Sequence, residues 1–184
     1  DKCLEMSGYA KERERQRAAQ ARGSVIGVGV VVYVEPAAAG WESGSVRVER
    51  TGAVTLVTGS SAHGQGHETT WAQIVADALG VRPEDVMVRH GDTGGAPQGF
   101  GTFGSRSQAV GGAALNMAGI KVKSKMSKFA AALLEAGEED LVFEGGKIFV
   151  KGAPAKGKSF AEVATFAYVP VPLPAGLEPG LSEE

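Results

Sequence analysis

"TGSSAHGQGHETTWAQIVADALG", residues 58 to 80, leaves a β-branched run, passes a glycine-rich bend and enters a helical pattern. From Glu68 to Gly80, Trp71, Ile74, Val75, Ala78 and Leu79 recur at i, i+3, i+4, i+7 and i+8, one buried stripe of an amphipathic helix. Gly80 suits the left-handed residue that ends it. Upstream, "SVRVER" alternates Val46 and Val48 with arginines, turns at Thr51-Gly52 and returns as "AVTLVT", which reads as a hairpin. The order strand, glycine bend, helix start brings free N–H groups and a positive dipole end to one point, which suits an anion. Gln65, flanked by Gly64 and Gly66, can donate and accept there without a bulky neighbour in the way.

Working outward, "GYAKERERQRAAQAR", residues 8 to 22, predicts a solvated helix stopped by Gly23. "SVIGVGVVVYVEP", residues 24 to 36, predicts a strand covered on both faces, with Pro36 as its end. "DVMVRH" predicts a short strand, and residues 91 to 104, "GDTGGAPQGFGTFG", hold too many glycines for a regular element. Ser105 and Gln108 read as a capping box opening a helix to about Glu135, stopped by Gly137. Its first turns, "QAVGGAAL", are small enough to let another backbone or a ligand come close. "LVFEGGKIFV" reads as a hairpin turning at Gly145-Gly146, and Ser159 with Glu162 caps a last helix. Strands and helices that do not strictly alternate give an α+β class: a mixed sheet and hairpins packed with two main helices. One domain over 1–168 and an extended proline-rich tail over 169–184 are expected.

Composition sets limits. The 19 basic and 21 acidic residues of this 184-residue chain give a net charge of -2, so neither nucleic acid nor an anionic membrane is an expected partner. The single cysteine, Cys3, excludes an internal disulfide framework and favours a reducing, cytoplasmic setting. No apolar run is long enough to span a bilayer and no secretory leader is evident. The chain starts at Asp1 and is expected to be an internal piece of a longer one.

His63 and His67 stand four apart, as zinc ligands on a helix would, but the two intervening glycines cost about 2 kcal/mol of helix propensity and no third ligand follows. No metal ligand is expected. At "GFGTFGSRSQ" glycines again lead into a helix, and Arg106 adds a fork suited to phosphate. Its G-x-G-x-x-G pattern fails as a dinucleotide fingerprint, because about 20 positions on stands the basic "KVKSKMSK" of the same helix. Two such junctions in one chain predict a ligand that bridges them.

"TGSSAHGQGHETTWAQIVADALGV", "GDTGGAPQGFGTFGSRS" and "EGGKIFVKG" resemble, in order and spacing, the molybdenum-binding large subunit of the xanthine dehydrogenase and aldehyde oxidase family. The nearest branch resembles the aerobic carbon monoxide dehydrogenase-type large chains, over about residues 10 to 168. The resemblance implies a molybdopterin dinucleotide carrying molybdenum, in the cytosine form, held between two loops. Gly64, Gln65, Gly66, His67 and Thr69 would bind its pterin and pyrophosphate region; Gly104, Ser105, Arg106 and Ser107 would line the opposite side. The metal is held by the pterin's sulfurs. The family's catalytic glutamate has no counterpart here, Cys3 lies in the wrong context for a copper-binding cysteine, and Gly94 stands where related chains often carry an acid. The resemblance therefore implies part of the cofactor cradle without the base, inactive alone and prone to self-association. Its partners would be the rest of the large subunit, iron–sulfur and FAD subunits and a small-molecule substrate. Two other readings remain at this stage. One is a free-standing phosphate- or nucleotide-binding transferase, with Glu68 and Asp92 for magnesium; the other is a non-catalytic interaction module.

Overall fold

The computed structural model describes residues 1–184 except Pro97, Pro170, Val171, Pro174 and Ala175. One residue of the glycine-rich loop and part of the proline-rich stretch thus lie outside the described residues. The chain divides into two compact units, Asp1–Val34 and Glu35–Glu184.

The first unit contains α1 (Lys2–Met6) and α2 (Tyr9–Ala21), separated by Gly8 in the left-handed region. The solvated helix is therefore present, preceded by a short helix that its sequence did not announce. The strand expected over 24–36 is not formed. Residues 24–34 have no regular structure, and Val25, Val31, Val32 and Val34 are almost wholly exposed. β-branched residues favour a strand only where a neighbour completes the ladder, and no described residue pairs with this segment. It is tied to α2 near its start, where the Ser24 N–H donates to the Ala19 carbonyl (3.0 Å) and the Gln16 amide to the Ile26 carbonyl (2.7 Å).

The second unit holds the core. β1 (Gly44–Val48) and β2 (Val54–Thr58) form the expected antiparallel hairpin, with Val46 opposite Leu56. The chain then passes through α3 (His67–Leu79) to β3 (Val86–Arg89), which pairs parallel to β2 with Leu56 opposite Val88. A parallel pair needs a crossover, and α3 supplies it. Val46, Val48, Val54 and Leu56 alternate onto one buried face, where α3 adds Trp71, Val75 and Leu79. Each such apolar side chain contributes about 1.5–3 kcal/mol relative to exposure.

α4 (Gly112–Leu134) lies beside α3 and buries Leu115, Val122, Met126 and Phe129 in the same core. Its small opening residues serve packing. A Cβ on Gly112 would stand 2.9 Å from Ile74 Cδ1, and one on Gly119 3.1 Å from Ala78 Cβ. The capping box expected at Ser105 is absent. Ser105 has φ 53°, whereas a cap presents its oxygen from extended backbone, and the helix opens instead through a wide turn over Ser107–Gly111. Its end comes at Glu135, itself left-handed, two residues before the expected glycine.

β4 (Leu141–Glu144) and β5 (Lys147–Val150) form the second expected hairpin, extended by β6 (Lys158–Ser159). α5 (Phe160–Tyr168) follows, tied by edge-on aromatic pairs to β4 (Phe143–Phe160) and to α4 (Phe129–Phe166). β7 (Ser182–Glu183) pairs with β1, so the larger sheet has the order β3-β2-β1-β7. Leu181 is fully buried, and the Tyr168 hydroxyl donates to the Val48 carbonyl (3.0 Å) while accepting from the Leu181 N–H (3.1 Å). The end of the chain is thus locked into the core, beyond what an extended tail implies. Among the described residues, no helix is long and apolar enough to cross a membrane.

The box at α5 is complete: the Ser159 hydroxyl accepts from the Glu162 N–H (3.2 Å), and the Glu162 carboxylate accepts from the Ser159 N–H (2.8 Å). Hydrogen bonds from the Ser159 backbone and hydroxyl, then from Lys158, depress the Glu162 pKa to about 2. A depressed carboxylate stabilises above its ordinary pKa of 4.5 and loses that contribution as pH falls towards about 2. Ser159→Ala is expected to lower stability by about 1 kcal/mol at neutral pH. In denaturant titrations its gap to the parent should narrow across that acid window; a pH-independent gap would contradict the box.

Candidate functional site

Parallel pairing decides where the site lies. β2 and β3 end on the same side of the sheet, and both glycine-rich loops leave from those carboxyl ends, 59–66 after β2 and 90–106 after β3. Crevices outside such strand ends are where ligands collect in sheets of this kind. The loops touch directly: Gly59 and Gly99 meet so closely that a Cβ on Gly99 would stand 2.5 Å from Gly59 Cα. Thr102 fastens them further on, its hydroxyl donating to the Ser61 carbonyl (2.6 Å) and accepting from Ser107 Oγ (2.9 Å).

Between them lies a hollow of about 370 Å³. Gln65 and His67 form one wall; Thr102, Phe103, Gly104, Ser105, Arg106, Ser107 and Gln108 form the other. Of the residues read from sequence, the structure therefore brings Gln65, His67, Gly104, Ser105, Arg106 and Ser107 together. Gly64 and Gly66 lie in the backbone turn beside the hollow, with φ 96° and 80°, and exposed Thr69 sits in the first turn of α3 without lining it. Gly66 stands at the N-terminus of α3 in left-handed conformation, and no side chain caps that helix end. The α3 start thus keeps its positive dipole end, with no N-cap side chain over its first N–H groups.

Gln65 is exposed, and its side-chain oxygen accepts from the His63 N–H, which stiffens the bend. His67 packs on Trp71, ring centroids 4.7 Å apart, and its Nδ1 is buried with no partner. Burial pushes its pKa below the ordinary value, outweighing the nearby Glu68 carboxylate, so the ring is neutral at pH 7. Glu68 instead accepts from His90 Nε2 at 2.9 Å, and His90 Nδ1 meets Ser61 Oγ at 3.2 Å. Its own backbone N–H and then the His90 bond hold Glu68 below the usual carboxylate range.

Arg106 corrects the sequence reading. Its guanidinium was expected to face phosphate, but the side chain is fully buried and paired with Glu42 at 2.7 Å. It also donates to the carbonyls of Ala39, Trp41 and Gly101 and lies over the rings of Phe100 and Phe103. A fork so engaged has no face left for a ligand, and Arg106 belongs to the wall as scaffold. Glu42 and His90 were missed, since both act from far along the chain. The one available signal was a requirement: an arginine among small residues, "GSRS", needs an acid partner if buried.

The donor set fits an extended, multiply charged organic group. Gly64, Gly66 and Gly104 have positive φ, and a Cβ at each meets nothing within 4 Å, so no side chain crowds the main chain there. The orphaned His67 Nδ1 adds a polar atom still lacking a partner. Among the described residues, no three His, Cys, Asp or Glu side chains are grouped to hold a metal ion themselves. A second hollow, about 570 Å³, lies on the open face of the larger sheet beside Arg47, Arg89 and Asp92. It is larger, but none of the described residues lining it belongs to a helix.

The chain matches the family described as "Molybdopterin cofactor-binding domain" over residues 2–184, and it belongs to that family. It is 40% identical over 191 residues to the carbon monoxide dehydrogenase large chain of Hydrogenophaga pseudoflava, covering 97% of this chain and 24% of that one. It is 35% identical to the nicotine 6-hydroxylase large subunit of Paenarthrobacter nicotinovorans, covering 98% and 24%. In structure it is similar to a Cu,Mo-CO dehydrogenase in its carbon monoxide reduced state (TM-score 0.72, 38% identity, 99% of this chain and 25% of that). It is likewise similar to quinoline 2-oxidoreductase from Pseudomonas putida 86 (TM-score 0.74, 39% identity, 98% and 25%). The chain spans about a quarter of the length of the curated relatives it matches. The transferase and interaction-module readings find no support in these comparisons.

Proposed function

We propose that this chain forms part of the cofactor cradle of a molybdenum hydroxylase large subunit, gripping a molybdopterin dinucleotide in its cytosine form. One observation carries this reading: an uncapped helix start and a glycine-lined loop, both leaving the carboxyl ends of parallel strands, close on one hollow. The α3 start and the Gly64–Gly66 bend offer main-chain N–H groups and a positive dipole end to the pyrophosphate. Gln65 presents its amide to the pterin, and neutral His67 contributes its unpartnered Nδ1. Gly104, Ser105 and Ser107 form the far wall. When bound, the cofactor supplies the redox chemistry, hydroxylation of a heterocyclic or carbonyl-type carbon or oxidation of carbon monoxide. This chain supplies binding and orientation. Iron–sulfur and FAD subunits would take the electrons, in the cytoplasm.

Gln65→Ala in the full-length protein tests the assignment. Losing a hydrogen bond to a charged ligand is worth about tenfold, so molybdenum content, read by metal analysis, or turnover should fall by about that factor. Unchanged metal and unchanged rate would sink it.

A further inference from the structure

The Glu42–Arg106 pair is costly, and its partners show what it holds. Both side chains are 0% exposed. Glu42 Oε1 accepts from the N–H groups of Ser43 (3.2 Å) and Phe100 (3.3 Å). Its Oε2 accepts from Ser60 Oγ (2.8 Å), the Gly101 N–H (3.3 Å) and Arg106 (2.7 Å). Arg106 returns to the carbonyls of Ala39, Trp41 and Gly101. Three stretches far apart in sequence, 39–43, Ser60 and 100–106, are thereby joined through two side chains. A buried ion pair is tolerated where its remaining donors and acceptors are filled, and these largely are. Burial pushes the Glu42 pKa up, but the Arg106, Ser60 and Ser43 hydrogen bonds outweigh it and hold the carboxylate ionised.

Among the described residues, the pair bonds to none of the hydrophobic core. What it fixes is the Gly99–Ser107 loop, one wall of the hollow. Phe100 and Gly101 point their N–H groups inward at Glu42, and the residues that follow directly, Thr102 to Gln108, line the hollow. An internal carboxylate thus gathers main-chain donors on one side of the loop while its other side is left for a ligand.

We propose that Glu42 and Arg106 are positioning residues: as a buried pair they hold the 99–107 loop in its ligand-ready shape before the cofactor arrives. The proposal rests on the function inferred above, in which that loop forms one wall of the cofactor cradle. Loading is then insertion into a standing site rather than folding of a loop around its ligand.

The test compares wild type, Glu42→Gln, Arg106→Lys and the double variant Glu42→Gln/Arg106→Met in the full-length protein, made with and without pterin biosynthesis in the host. In the cofactor-free protein, amide hydrogen exchange over 98–107 should quicken about tenfold or more in each single variant, while strands 44–48 and 54–58 keep their wild-type rates. The double variant should be no worse than the poorer single one, because the two act as a unit. In cofactor-replete host cells, pterin content should fall in parallel. Should Glu42→Gln not accumulate, Ser60→Ala, which removes one donor and keeps the pair, should quicken the same segment by a smaller factor. Unchanged exchange over 98–107, or equal quickening in the strands, overturns the proposal. A wild-type protein that carries no pterin would overturn the functional reading, and the exchange comparison would still decide whether the pair sets the loop.

Discussion

Gly80→Ala is expected to lower stability by about 3 kcal/mol and the melting temperature by about 6–12 °C for a chain of this size. Gly80 ends α3 in the left-handed region at φ 74°, its N–H donating to the Ala76 carbonyl at 2.8 Å. Its carbonyl accepts from the Gly146 N–H in the turn of the second hairpin. A Cβ there would stand 2.3 Å from the Phe143 carbonyl oxygen, a backbone atom that no rotamer can move. Left-handed strain and collision therefore add. Gly152→Ala separates them, for it has φ 84° with nothing within 4 Å and should lose only about 1 kcal/mol. Melts followed by far-ultraviolet circular dichroism that place the two variants together would show that the contact between α3 and the second hairpin carries no weight.

Gly99→Ala is expected to empty the site with less harm to the fold. Its Cβ would lie 2.3 Å from Glu42 Oε1 and 2.5 Å from Gly59 Cα, so the two loops cannot stay in contact. Overpacking of this kind costs about 1–3 kcal/mol, and the cheapest relief is for residues 98–107 to swing away from β2's end. Molybdenum and pterin content of the full-length protein should drop about tenfold or more, while Gly101→Ala, where a Cβ meets nothing within 4 Å, keeps a larger share. Normal metal loading in Gly99→Ala would mean that the touching loops are incidental to the cradle.

The features legible in the sequence are those whose causes are local. The α3 stripe, both hairpins and the Ser159–Glu162 box follow from neighbours within a few residues, and all are present. The two glycine junctions were legible for the same reason, and that they face one hollow follows from the parallel pairing of β2 with β3, which no short stretch encodes. Arg106 shows the limit from the other side. Read beside its neighbours it is a free fork; its actual partner, Glu42, stands in an unrelated loop before β1. Residues 24–34 show that β-branched content states a preference only, since strand formation needs a ladder that no described residue supplies. Ser105 failed as a cap because backbone sign, invisible in a one-letter string, overrode side-chain chemistry.

The common origin of both loops at one sheet edge bears on how such a domain diverges over evolutionary time. Insertions or replacements in 59–66 or 90–106 would reshape the hollow, while the apolar layer beneath would keep its packing. Lineages can therefore drift in what they accommodate without refounding the architecture that carries it.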